Sequence, residues 1–169
     1  MAQAGGGSIG NVSSIYGQVS PVQSLYEYRR KRGEEFFKPV AYAASKSALY
    51  NLTRYVATYW ARKNVRVNTL TLAGVFDNQD VEFLDGYCQR MPMGRMANAS
   101  DYTGPLVFLL SEASCYMTGA DLVVDGDTIT DLIADPNEFG PFDTSDVDSP
   151  WRMTIKLKKV FRGFAAAAS

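Results

Sequence analysis

Residues 41–72 read AYAASKSALYNLTRYVATYWARKNVRVNTLTL. In the first part, Leu49, Leu52, Val56, Tyr59 and Trp60 recur at threes and fours, which predicts a helix over 41–63. Pro39, just ahead of it, suits a first helical turn, and Asn64 reads as the stop. The β-branched run from Val65 to Leu72 then predicts a buried strand. Working outward, Ser8 to Ser13 follows a glycine turn and carries Ile9 and Val12, a second predicted strand. On the other side, Asp77 to Met96 reads as a loop with one short helix. Ser100 and Asp101 offer a helix start, Tyr102 to Ser111 an apolar helix, and Asp121 to Gly126 a third strand. Strand, helix, strand, helix, strand implies right-handed crossovers and a parallel sheet, hence an α/β fold.

The chain has 169 residues, enough for one domain with a core. A formal net charge of −1 offers no broad attraction to nucleic acid or to an anionic membrane. No apolar run approaches the roughly 20 residues of a spanning helix, and the N-terminus lacks the features of a signal peptide. Cys88 and Cys115 stand far apart and read as reduced thiols of a cytoplasmic protein. There is no histidine. That excludes Ser-His-Asp and Cys-His catalysis and any mixed thiolate–imidazole zinc site. Proton chemistry must use Tyr, Lys, Asp or Glu.

Tyr42-Ala43-Ala44-Ser45-Lys46 is the feature that best meets this need. A spacing of four at a helix start puts Tyr42 and Lys46 on one face. A free phenol is a poor acid or base near neutrality, but a neighbouring ammonium favours phenolate. Such a pair is a proton-transfer device, or an exposed helical pair with no role. Ahead of it stand Asn11-Val12-Ser13-Ser14 and Ile15-Tyr16-Gly17. Behind it come the Val65 strand, then Met117-Thr118-Gly119 and Val123-Val124-Asp125-Gly126.

In this order, from about Gly6 to Gly126, the sequence resembles the short-chain dehydrogenase/reductase family. The stretch Gly74 to Gln79 and the long insertion before Tyr42 resemble its bacterial subgroup linked to surface-sugar and flagellin modification. The resemblance implies a Rossmann-type doubly wound sheet. It implies an oxidoreductase that moves hydride between NAD or NADP and a carbonyl or alcohol, with a sugar or sugar nucleotide as possible substrate. Tyr42 matches the acid–base tyrosine, Ser14 the serine that bonds the substrate oxygen, and Lys46 the lysine that holds the nicotinamide ribose and tunes the tyrosine. Asn11 and Ser13 fall in the same motif, Ser13 reading as a packed or capping hydroxyl. Gly74 and Val75 fall where the family's backbone lies against the nicotinamide, but Leu72-Ala73 stands where it usually has a proline, which leaves the turn less constrained. Asp77 to Met96 matches the family's mobile lid. The helix over 41–63 is its usual dimer contact, so a homo-oligomer is implied.

Gly5, Gly7 and Gly10 spell G-x-G-x-x-G, the dinucleotide fingerprint. That motif needs a strand before it and a helix after it. Here four residues precede it and a strand-like segment follows, so the match is read as coincidental. By resemblance the chain starts just before the family's fifth strand, leaving an unpaired sheet edge. Residues 1–126 are then a partial Rossmann-type domain with the N-terminal strands missing. Residues 127–169, acidic and then basic–aromatic, read as a tail of uncertain order. Its segment 151–162 could lie on a membrane surface, though docking on the domain is the preferred reading. The alternative to an enzyme is a catalytically silent fragment acting as an interaction module. The cluster Arg29-Arg30-Lys31-Arg32 suits an anionic substrate or a solvated loop balanced by Glu34 and Glu35.

Overall fold

The computed structural model describes residues 1–128. Three parallel strands, β1 (Gly7–Ser14), β2 (Val65–Leu72) and β3 (Asp121–Val124), lie in that order with β2 in the centre. The register runs from Gly7 opposite Val65 to Ser14 opposite Leu72, and from Thr69 opposite Asp121 to Leu72 opposite Val124. All three strands therefore end at one edge of the sheet. In open α/β folds ligands bind beyond the carboxyl ends of the strands.

Side chains alternate between the two faces of a strand. On one face of β2, Val65 and Val67 pack with Ala57 of α2 (Val40–Trp60), and Thr69 bonds Thr53 at 2.8 Å. On the other, Arg66 donates to the Leu109 carbonyl at 3.3 Å and to Ser111 at 2.9 Å, at the end of α4 (Thr103–Leu110). β1 follows the same rule. Ser8 donates to Leu109 O at 2.7 Å, whereas Asn11 reaches Thr53 at 2.9 Å. One helix thus covers each face, as parallel sheets require.

The helix lies where its spacing places it, with Pro39 one residue outside as the cap and Asn64 in the left-handed region at φ 56. Its buried face is not the apolar stripe. Thr53 and Ala57 lie against the sheet, while Leu52, Tyr55 and Tyr59 are 49%, 70% and 66% exposed. Small residues let the helix approach the strands, and Thr53 bonds two of them. The aromatic residues instead meet each other, with Tyr55 and Tyr59 stacked at 6.4 Å.

The long connection from residue 15 to 39 is not a solvated loop. Two 3-10 turns, Ile15–Gly17 and Gln23–Tyr26, lead into the short α1 (Glu27–Lys31). Leu25 and Tyr26 are buried with Ile15 against Phe83 and Tyr87 of α3 (Val81–Cys88). That hydrophobic contact overrides the charged composition. The arginines are consumed locally: Arg29 pairs with Glu34 at 2.6 Å, Arg30 with Glu27, and Arg32 with Glu82 at 2.5 Å. Glu34 takes the expected part, and Glu27 and Glu82 take the rest. The start of α4 also shifts. A capping box between Asn98 and Asp101 opens a 3-10 turn over Ala99–Tyr102, so the side-chain cap is Asn98 rather than Ser100.

Past β3, Gly126 and Asp127 have φ 65 and 73, and Thr128 is buried, 3% exposed. Packing therefore continues two residues beyond the expected domain end at Gly126. The expectation of a tail from residue 127 otherwise falls on 129–169, outside the described residues. Among the described residues no helix is long and apolar enough to cross a membrane.

Candidate active site

The site is a cleft of about 470 Å³ at the carboxyl ends of β1 and β2, lined by Ser14, Tyr42, Lys46, Gly74 and Val75 among others. Five residues singled out from sequence, distant along the chain, thus share one cavity.

Ser14 is the last residue of β1, and its Oγ accepts the Tyr16 N–H at 3.3 Å. That bond uses a lone pair and leaves the hydroxyl proton for another acceptor. The chain then runs tight against α2. A Cβ on Gly17 would come within 2.8 Å of the Lys46 carbonyl carbon and 2.9 Å of Ser47 N, so only glycine allows this approach. Ser13 points the other way and donates to Lys46 O at 2.9 Å, tying β1 to the helix that carries Tyr42 and Lys46.

Tyr42 and Lys46 lie on one face of α2. The Lys46 Nζ stands 5.8 Å from the Tyr42 ring centroid and donates to Val12 O at 3.1 Å. The Tyr42 hydroxyl has no hydrogen-bond partner among the described residues, and the residue, 37% exposed, lines the cleft. Ser45 bonds back to Tyr42 O at 2.8 Å within the helix.

Gly74 and Val75 form the facing wall. Where proline would stiffen the turn, hydrogen bonds do so. Gly74 N–H donates to the Tyr87 hydroxyl at 2.7 Å, and Gln79 Nε2 donates to Val75 O at 2.8 Å. Any Cβ on Gly74 would meet Met96 Cε at 2.7 Å and Tyr87 Oη at 2.8 Å. Burial pushes the Tyr87 phenol up to about 12, and burial likewise raises Tyr16, so both stay neutral beside the site.

Several lining or supporting residues escaped the sequence reading. Tyr50 bridges Ser14 O at 3.1 Å and Thr71 Oγ1 at 2.9 Å. Thr71 meets Asp121 at 2.6 Å, and Gln18 donates to Asp121 at 2.6 Å. This chain of contacts fixes Ser14 from behind. Tyr50 follows Lys46 by one helical turn, a spacing that could have marked it. Tyr87 carries no such signal. Lys38, just outside the helix, puts its Nζ 4.9 Å from the Tyr42 ring.

The residues present fit the nicotinamide–ribose end of a dinucleotide: a hydroxyl pair, an ammonium and a close backbone wall around one cleft. The glycine run does not serve the pyrophosphate. Gly5 to Gly7 turns directly into β1, with Gly7 N–H bonded to Asn64 O at 3.0 Å, and no helix follows it. Among the described residues no other glycine turn leads from a strand into a helix.

Comparison with known proteins gives the same fold. Residues 1–126 match the family described as enoyl-(acyl carrier protein) reductase. The post-translational flagellin modification protein A of Campylobacter coli is 37% identical over 119 residues, 70% of this chain and 44% of that protein. The gluconate 5-dehydrogenase of Gluconobacter oxydans is 39% identical over 92 residues, 50% of this chain and 36% of that protein. Among solved structures, a short-chain dehydrogenase from Leptospira borgpetersenii with bound NAD+ superposes with a TM-score of 0.64 at 34% identity, covering 72% of this chain and 44% of that one. A gluconate 5-dehydrogenase from Burkholderia cenocepacia with NADP and tartrate gives 0.61 at 28% identity, covering 76% and 47%. The chain spans less than half the length of these relatives. The family match over residues 1–126, the relatives and the solved structures agree: the chain belongs to the short-chain dehydrogenase/reductase family.

Proposed function

We propose that this chain carries the chemical side of an NAD- or NADP-dependent oxidoreductase site acting on the carbonyl or alcohol of a sugar-related small molecule. The observation that supports this best is the meeting of Ser14, Tyr42, Lys46 and the Gly74–Val75 backbone in one cleft. Relatives named for gluconate and for flagellin modification, and neighbours solved with NAD+ or NADP, agree with this class.

A bound nicotinamide would supply or accept the hydride. Lys46 would hold the ribose hydroxyls with its ammonium, and Gly74 and Val75 would present backbone to the ring. Ser14 donates its free proton to the substrate oxygen, holding the reacting carbon in place. Tyr42 gives a proton to that oxygen in reduction and takes it back in oxidation. Its hydroxyl, without a hydrogen-bond partner among the described residues, suits this, because no bond to those residues must break first.

Ser14→Ala removes a donor at the oxygen where charge develops, an effect worth about 10²- to 10³-fold in turnover. The check is the steady-state rate of nicotinamide oxidation or reduction with gluconate-type substrates. An unchanged rate in the variant would contradict Ser14's role.

We also propose self-association through α2, supported by the exposed Leu52, Tyr55 and Tyr59. An apolar stripe of this kind marks an interaction face. Sedimentation equilibrium of Tyr55→Lys should show smaller species than the parent chain; equal masses would remove α2 from the interface. The same stripe, together with β1 as an edge strand, supports the second reading, a module that associates without turnover.

A further inference from the structure

The charges around the cleft do not balance. Its charged lining residues are Arg29, Lys38, Lys46 and Asp80. Arg29 pairs with Glu34 at 2.6 Å and stacks on Phe36 at 4.2 Å. Asp80 accepts a 2.7 Å bond from the Tyr28 hydroxyl. Lys46 donates to Val12 O. The Lys38 ammonium has neither a hydrogen bond nor an ion pair among the described residues and faces only the rings of Tyr42 at 4.9 Å and Tyr16 at 5.9 Å.

Lys38 is nevertheless firmly placed. Its N–H donates to Gln23 Oε1 at 3.1 Å, and Gln23 Nε2 donates to Lys38 O at 3.4 Å, so one side chain clamps both sides of its backbone. Pro39 then restricts its conformation to extended. The residue is half-buried. Its ammonium faces the cleft with no ion pair among the described residues, and an anion entering the cleft supplies one. The arginine forks that would best suit a phosphate are already spent on Glu27, Glu34 and Glu82. With Lys46 assigned to the ribose, what remains is one compact positive charge, which a carboxylate can complement. The surrounding Tyr16, Tyr28, Gln79 and Asp80 offer polar groups to hydroxyls.

We infer that Lys38 is a specificity residue that binds the carboxylate of a polyhydroxylated acid, orienting it in the cleft beside Tyr42. The orientation towards chemistry rests on the oxidoreductase reading above; the carboxylate contact rests on the charges of the cleft.

Titration calorimetry of the full chain tests it with D-gluconate, D-glucitol and D-glucitol 6-phosphate. These share a six-carbon chain and differ in carrying a carboxylate, a neutral hydroxymethyl group or a phosphate. D-Gluconate should bind most tightly. Lys38→Gln should weaken gluconate about tenfold or more, as expected for a hydrogen bond between charged groups, and Lys38→Arg should restore most of the loss. Glucitol should bind both variants like the parent chain, which also reports an intact cleft. Equal affinity for gluconate and glucitol, an unchanged gluconate affinity in Lys38→Gln, or a preference for the phosphate would each overturn the inference. Lys38-dependent gluconate binding without Ser14-dependent turnover would uphold it and overturn the oxidoreductase reading instead.

Discussion

Turnover should fall by about 10²- to 10⁴-fold when Tyr42 is replaced by phenylalanine, the range that one positioned acid–base group contributes. The substitution removes a single oxygen. That oxygen makes no hydrogen bond to the described residues, so no structural contact is lost with it. The ring stays, and with it the approach of Lys38 at 4.9 Å and Lys46 at 5.8 Å to its face. Stability should therefore change by no more than about 0.5 kcal/mol, and cofactor binding by about twofold or less. Steady-state rates, set beside a denaturant titration and nicotinamide binding on the same sample, separate these effects. Phenylalanine supporting the parent rate would remove Tyr42 from the chemistry. A rate lost together with stability would point to misfolding rather than to a missing proton donor.

The largest effect on the fold is expected at Leu109. Its side chain is 0% exposed, closed between α4 and the sheet. Its carbonyl accepts from Ser8 at 2.7 Å, Ser114 at 3.0 Å and Arg66 at 3.3 Å, which fixes the end of the helix over β1 and β2. Leu109→Ala leaves that backbone hub in place and opens a void the pinned helix cannot close. Large-to-small changes of this kind cost about 2–5 kcal/mol. Against a typical domain stability of about 5–15 kcal/mol, much of the margin disappears. Urea unfolding should show a midpoint shifted sharply down at unchanged slope. A loss below about 1 kcal/mol would mean that the helix end relaxes and that the hydrogen-bonded hub does not hold it.

The parts of this fold that could be read from sequence are those set by local periodicity and spacing. β2 begins and ends where the β-branched run does, and the 3-10 turn Ala61–Lys63 that follows α2 stops at Asn64 because asparagine tolerates the left-handed turn found there. What periodicity could not reveal is which face of α2 is buried. Thr53 and Ala57 look unremarkable beside Leu52 and Tyr59, yet hydrogen bonds to Asn11 and Thr69 draw the threonine side inward. The insertion misled for a related reason. Its charges suggest a solvated loop, whereas Leu25 and Tyr26 seat it on Phe83. In the site, Tyr42 and Lys46 were legible because their contact is one helical turn. Lys38, Tyr87 and Asp121 were not, because they meet the cleft or its supports only through tertiary packing. The opening glycines show the converse: a motif legible in letters, used here to turn the chain into a strand.

On the proposed function, the cleft between α2 and the Gly74–Val75 wall receives a nicotinamide ring with its ribose. Fluorescence titration of the chain with NADH and with NADPH tests it most directly, with Lys46→Ala as the paired sample. Enhanced, saturable nicotinamide fluorescence is expected with at least one of the two, weakened about tenfold or more in Lys46→Ala, which loses a charged hydrogen-bond donor. No change in fluorescence up to millimolar cofactor, or identical curves for the two proteins, would contradict the account and favour an interaction module.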